Sequence, residues 1–210
     1  MYYVTGILAI FVLWSLWGYM SSRTEQTEYK VVEVKKDYEI RLYPAHIVAQ
    51  TEVQGTYQEA LNQGFRILAG YIFGGNTKKE RIAMTAPVVE QKTSEPIAMT
   101  APVTATIEGE TRTITFSMPR SYTLETLPTP SDPRIKIVTQ PEMKMAALRF
   151  SGFRSAASTL SKKQELLDAL KRDKVTTVDE AQYAGYNAPW TPPWMTRNEV
   201  LIEIHDDNTL

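Results

Sequence analysis

The chain contains no cysteine. That absence removes disulfides, thiolate metal sites and cysteine nucleophiles together. It has only two histidines, His46 and His205, far apart and one of them in the tail. A histidine-based metal centre or a Ser-His-Asp triad therefore has almost no material. Charge of one sign is also lacking. The 23 basic and 24 acidic residues leave a formal net charge of −1, and no basic run or basic–aromatic stripe occurs, so nucleic acid is not an expected partner. No Walker loop, G-x-G-x-x-G, H-E-x-x-H or G-x-S-x-G is present. The carboxylates, among them Glu39, Glu52, Glu59, Glu199 and Glu203, are scattered near predicted element ends and read as structural charge.

One long apolar run is present. Residues 3–20, YVTGILAIFVLWSLWGYM, carry no charge. At about 1.5 Å per residue the run just spans a hydrocarbon core of about 30 Å. Trp14, Trp17 and Tyr19 gather toward one end, as an interfacial aromatic belt does. A cleavable signal peptide is the rival, but no basic residue precedes the run and GYMSS is a poor cleavage site. We expect an uncleaved single-span anchor over residues 1–21, hence a membrane location, with the side of the membrane open. A polar tether follows over 22–30, then one domain over 31–204 and a short tail over 205–210.

Within the domain, residues 31–43 alternate as strand, broken by Lys35-Lys36-Asp37, and 46–53 form the next strand. Residues 57–73 read as the clearest helix, with Tyr57, Leu61, Phe65, Leu68 and Ile72 on one stripe and Thr56 with Glu59 as a capping box. Gly74-Gly75-Asn76 stops it. Then one heptapeptide occurs twice: IAMTAPV at 82–88 and again at 97–103. Each copy reads as a strand or strand end at a sheet margin, with the spacer between them exposed. The pair is either a flexible lid offering Met84 and Met99 to an apolar ligand or a cover for a sheet edge. Strands follow near 112–118, 135–138 and 143–150. A second helix lies over 155–172, with Ala156, Leu160, Leu167 and Leu170 on its apolar face and a late start at Ser161 as an alternative. Strands near 181–186 and 200–204 close the chain. The order strand, strand, helix, strand, strand thus occurs twice. The fold class is α+β: duplicated ββαββ halves forming a distorted eight-stranded antiparallel barrel with two flanking helices.

Several segments carry a family resemblance. GGN followed by Lys-rich sequence and IAMTAPV, YEIRLYP at 38–44, EALNQGF…YIFGGN at 59–76, and AGYNAPW…RNEVLIEI at 184–204 resemble the SOUL/haem-binding proteins, in the same order and across 31–204. The resemblance implies a distorted barrel with two helices, similar to GyrI-like effector-binding domains. It implies haem or a related tetrapyrrole as ligand, held largely by apolar contact. The slot would lie beside the first helix and the loop after the second, at Asn62, Phe65, Arg66, Ala69 and Tyr71, with Met84 and Met99 as lid residues. Some relatives carry a His where this chain has Leu42, which leaves His46 as a weak candidate axial ligand. Asn62 and Gly70 stand where some relatives have basic residues, so Arg66, Lys78 and Lys79 are the substitutes for holding propionates.

The leading expectation is a membrane-tethered haem-binding protein that buffers or delivers its ligand without catalysis. A hydrolase of GyrI-like type is the second reading, with Glu199, its pKa raised by burial, as the agent. The third is a scaffold whose loop from Pro189 to Trp194 binds a protein partner.

Overall fold

The computed structural model describes residue 14 and residues 25–92, 111–153, 155–178, 180–187 and 191–205. The expected anchor, apart from Trp14, lies outside the described residues, as does the second heptapeptide with Met99. Among the described residues no helix is long and apolar enough to cross a membrane.

The strands are β1 (Glu25–Gln26), β2 (Lys30–Val34), β3 (Glu39–Tyr43), β4 (His46–Gln54), β5 (Thr85–Ala86), β6 (Val88–Lys92), β7 (Thr111–Ser117), β8 (Lys136–Gln140), β9 (Met143–Phe150), β10 (Gln182–Gly185) and β11 (Asn198–Glu203). The helices are α1 (Tyr57–Ile72) and α2 (Ala156–Arg172), and a single 3-10 turn spans Pro193–Met195. Nine strands form one sheet in the order β2-β3-β9-β11-β10-β6-β7-β4-β8, antiparallel throughout. β1 and β5 make a separate two-residue parallel pair.

The sheet order shows how the halves combine. Exchanging β3 with β8, β9 with β4, β11 with β7 and β10 with β6 leaves the order of those eight strands unchanged. The first strand of each half pairs with the other half: β3 with β9 and β8 with β4. The sheet curls into a half-barrel; β2 extends one edge and β8 forms the other.

Both helices pack on one face. α1 covers Ala49 and Val53 of β4, Val88 of β6, and Ile114 and Phe116 of β7. α2 covers Ile40 of β3, Ala146 and Leu148 of β9, and Val200 and Ile202 of β11. Because strand side chains alternate, the intervening residues Tyr43, Met145, Ala147 and Leu201 turn to the opposite face, where they pack with Ala184 and Tyr186. Gly64 brings α1 unusually close to the sheet: a Cβ there would sit 2.3 Å from Ile114 Cγ1.

Three expectations change. The spacer after the first heptapeptide is not wholly exposed: β6 enters it and occupies a central place between β10 and β7. Glu90 is therefore buried, and its charge is met by Arg112 Nη1 at 2.6 Å. The heptapeptide itself contributes only β5 and the start of β6. In α2 the buried residues are Thr159, Leu166, Ala169 and Leu170, while Ala156 and Leu160 face outward. The helix starts at Ala156 rather than late, because Ser155 Oγ accepts from Ser158 N and caps the first turn.

Candidate functional site

The outward surface of α1 follows from its periodicity. At about 100° per residue, Asn62, Arg66, Ala69 and Phe73 fall on one line, with Phe65 and Gly70 on its shoulders. Asn62, Arg66, Gly70 and Phe73 are exposed and Phe65 and Ala69 half-buried. A Cβ built on Gly70 would meet no atom within 4 Å. Phe65, Ala69 and Phe73, at i, i+4 and i+8, thus form an apolar strip along this surface, low at Ala69 and ending on Phe73, which is 65% exposed; Arg66 and Gly70 lie beside it. Phe65 is fixed by an edge contact with Phe116, ring centroids 5.4 Å apart.

The helix is held at both ends. The Glu59 carboxylate accepts from Thr56 N at 3.1 Å and Thr56 Oγ1 at 2.7 Å. Beyond the C-terminus Gly74 takes a positive φ of 112°, which glycine adopts without steric cost. Asn76, buried, then ties the following loop together. Its Nδ2 donates to Tyr71 O and Glu80 O, and its Oδ1 accepts from Lys78 N and Glu80 N. The bond from Ile82 N to Ile72 O draws the heptapeptide back against the helix end. Met84 is thereby packed, half-buried, on the same apolar cluster as Phe65. Lys78 and Lys79 stay exposed on the loop.

The expected site residues therefore divide. Asn62, Phe65, Arg66 and Ala69 share one surface, and Met84 lies at the margin of the cluster beneath it. Tyr71 does not join them. It lies on the opposite side of α1, fully buried, and its hydroxyl donates to Pro128 O at 2.7 Å. Burial pushes its pKa up to about 12. His46 is also apart. Ile47, Ala49 and Val53 of β4 face α1, so alternation turns His46 to the other side of the sheet, where its Nδ1 is 2.9 Å from Pro44 O. The loop after α2 is bound to the end of β11 through Val178 N to Glu203 O and His205 N to Thr176 O. Phe73 was missed by sequence reasoning because it sits at the helix stop; its spacing from Asn62, Arg66 and Ala69 was the available signal.

A second cluster lies on the face opposite the helices. The Glu199 side chain is fully buried. Its Oε2 accepts from Arg41 Nη1 at 2.7 Å and Tyr186 Oη at 2.8 Å, and its Oε1 from Arg197 Nε at 2.9 Å. The strap that includes β1 closes over it: Arg197 donates to Gln26 Oε1 at 3.0 Å and Tyr29 Oη at 2.9 Å, and Tyr29 stacks 4.2 Å from the Arg41 guanidinium. Burial alone would raise the Glu199 pKa. The hydrogen bond and charge of Arg41, then the charge of Arg197 and the Tyr186 hydroxyl, outweigh it and hold the carboxyl below its ordinary value. This corrects the expectation of a raised pKa: Glu199 is an ionised, fully partnered group rather than a proton donor poised near neutrality.

The SOUL heme-binding protein family model matches residues 24–203. The chain belongs to this family. It is 31% identical over 154 residues to Heme-binding protein 2 of Homo sapiens, covering 72% of this chain and 71% of that one. Among solved structures, the C-terminal domain of EcmrR superposes with a TM-score of 0.59 at 7% identity, covering 85% of this chain and 98% of that one. An uncharacterized conserved protein from Listeria innocua gives a TM-score of 0.56 at 12% identity, covering 81% and 93%. These two likenesses concern the fold alone.

Proposed function

We propose that this SOUL-family chain binds haem or a related tetrapyrrole on the outer surface of α1, to buffer or deliver it, without catalysis. The observation that carries the reading is the apolar strip of Phe65, Ala69 and Phe73 along the outer surface of α1. A planar macrocycle laid along this strip meets only a methyl group at Ala69, and the two aromatic rings add buried area at roughly 25 cal/mol per Å² before ordering costs. Arg66 on this surface and Lys78 and Lys79 on the loop after α1 are the cations offered for the propionates. Family membership and the curated relative named for haem binding support the ligand. Met84 and Met99 would act as adaptable cover. Residues 3–20 would tether the domain to a membrane. Protein purified from haem-supplemented cells should carry a Soret absorbance that follows the protein through gel filtration. A colourless protein that takes up no haem on direct titration would overturn the reading.

A further inference from the structure

We propose that the surface bearing Trp194 and Phe153 is a seat for the chain's own uncharged run, residues 3–20, and that the folded domain competes with a bilayer for that run. Trp194 is 48% exposed and Phe153 80%. They are carried by segments bound to each other. Gly152 N donates to Pro193 O and to Thr196 Oγ1, each at 3.0 Å, and Gly152 O accepts from Asn198 Nδ2 at 3.0 Å. Phe153 O accepts from Ser158 Oγ at 3.0 Å in the first turn of α2. Phe153 and the 3-10 turn with Trp194 therefore belong to one fixed platform. Large apolar side chains held exposed on such a frame mark a docking surface.

Two observations identify the occupant. Trp14, which belongs to the run, meets Trp194 edge-on, with ring centroids 5.3 Å apart. The chain after the run is fastened to the same loop: Arg197, three positions beyond Trp194, donates to Gln26 Oε1 at 3.0 Å, and Thr27 N donates to Ala86 O at 2.8 Å. The stretch between Trp14 and Gln26 thus begins and ends beside residues 194–197, which keeps the run at high effective concentration there. Residues 3–20 carry no charge, so seating them on an apolar surface strips no ion of its water.

Docking and insertion exclude each other at Trp14. It stands six positions before Met20, the end of the run, which in a spanning helix is a depth of about 9 Å at 1.5 Å per residue. Trp194 belongs to a folded loop that also carries Arg197, and a charged loop does not follow to that depth. The run therefore enters a bilayer only by leaving Trp194. Docking stands apart from haem binding, and it decides when residues 3–20 are available as a tether.

The absence of cysteine allows a paired-cysteine test that keeps both tryptophans. The full-length double variant Ser15→Cys, Met195→Cys is treated with a short, reducible bismaleimide in a mild non-ionic detergent. The control pair is Ser15→Cys, Val178→Cys. Val178 N donates to Glu203 O, at the far end of β11 from Asn198, roughly 20 Å away at about 3.3 Å per residue. The 15–195 pair should link within one molecule several times faster than the 15–178 pair, and adding Trp194→Ala should cut its rate severalfold. Equal rates for the two pairs, a rate that Trp194→Ala leaves unchanged, or links only between molecules would overturn the proposal; the last result would give the surface to a second copy of the chain. The linked protein is then mixed with phosphatidylcholine vesicles, the detergent is removed and the vesicles are floated. It should float at least fivefold less than the same protein after reduction. Linked and reduced protein floating equally would defeat the competition with a bilayer. A Soret titration of the linked protein keeps the haem reading separate, since docking and haem binding can each fail without the other.

Discussion

Replacing Glu199 by Gln tests whether the buried cluster on the face opposite the helices holds the fold together. The side chain keeps its volume and loses its charge. Arg41, whose side chain is 3% exposed, then faces a neutral amide, and Arg197 loses its carboxylate partner. Removing one member of a buried pair costs about 3–5 kcal/mol. The lower end applies here, since Gln keeps one acceptor oxygen and Arg41 keeps Glu39 at 2.8 Å. A loss of about 3 kcal/mol is a large fraction of the 5–15 kcal/mol typical of a domain. With a urea slope of about 2 kcal/mol per M it lowers the unfolding midpoint by about 1.5 M. The double variant Arg41→Met, Glu199→Gln should lose less than the sum of the two single changes, because it removes the stranded cation. The acid limb supplies an independent readout. Glu199 has a depressed folded pKa, so its contribution is present above the unfolded value of about 4.3 and is lost as pH falls through the folded one. The Gln variant should show a shallower acid slope. An unchanged urea midpoint, or a double variant as damaged as the sum, would refute the reasoning.

Two alanine substitutions in α1 should have opposite signs. Gly64→Ala drives a Cβ into Ile114; overpacking of about 1–3 kcal/mol or more outweighs a helix-propensity gain of up to about 1 kcal/mol, and the melting temperature should fall. Gly70→Ala meets nothing and should raise it by the equivalent of about 0.5–1 kcal/mol. On the alkaline side, burial pushes Tyr38, Tyr71 and Tyr183 up to about 12. Their contribution is intact below the unfolded value of about 10 and is lost as pH rises toward the folded one. Circular dichroism against pH should show stability declining across that window, and less steeply in Tyr71→Phe.

The parts of the molecule that were legible in the sequence are those set by short-range periodicity. α1 was readable from Tyr57, Leu61, Leu68 and Ile72, its start from Thr56 and Glu59, and its stop from Gly74 to Asn76. The duplicated order was readable because each half repeats the same sequence of elements. Pairings across long separations were not. The Arg41–Glu199 bond joins residues 158 positions apart, and no local pattern announces that two charges meet inside a sheet. The same holds for Glu90, whose strand looks like an exposed polar spacer until Arg112 is seen beside it. Leu160 was misplaced because a stripe of Ala and Leu fits either side of a helix whose middle holds Lys163 and Gln164. Tyr71 was placed in the slot by resemblance, whereas counting from Asn62 and Arg66 puts it on the opposite side of α1. His46 was weighed as a ligand on residue type, and strand alternation turns it away from α1.

The central claim is that binding depends on the apolar strip of α1 and not on axial ligation by His46. Its most direct test is a Soret-band titration of wild type, Phe73→Ala and His46→Ala at equal folded concentration. Phe73 is largely exposed, so its replacement should leave the fold intact and remove about 1–2 kcal/mol of apolar contact with the macrocycle, which weakens binding about tenfold. His46→Ala should bind as wild type does. No saturable change with wild type, or loss of binding in His46→Ala while Phe73→Ala binds normally, would contradict the account.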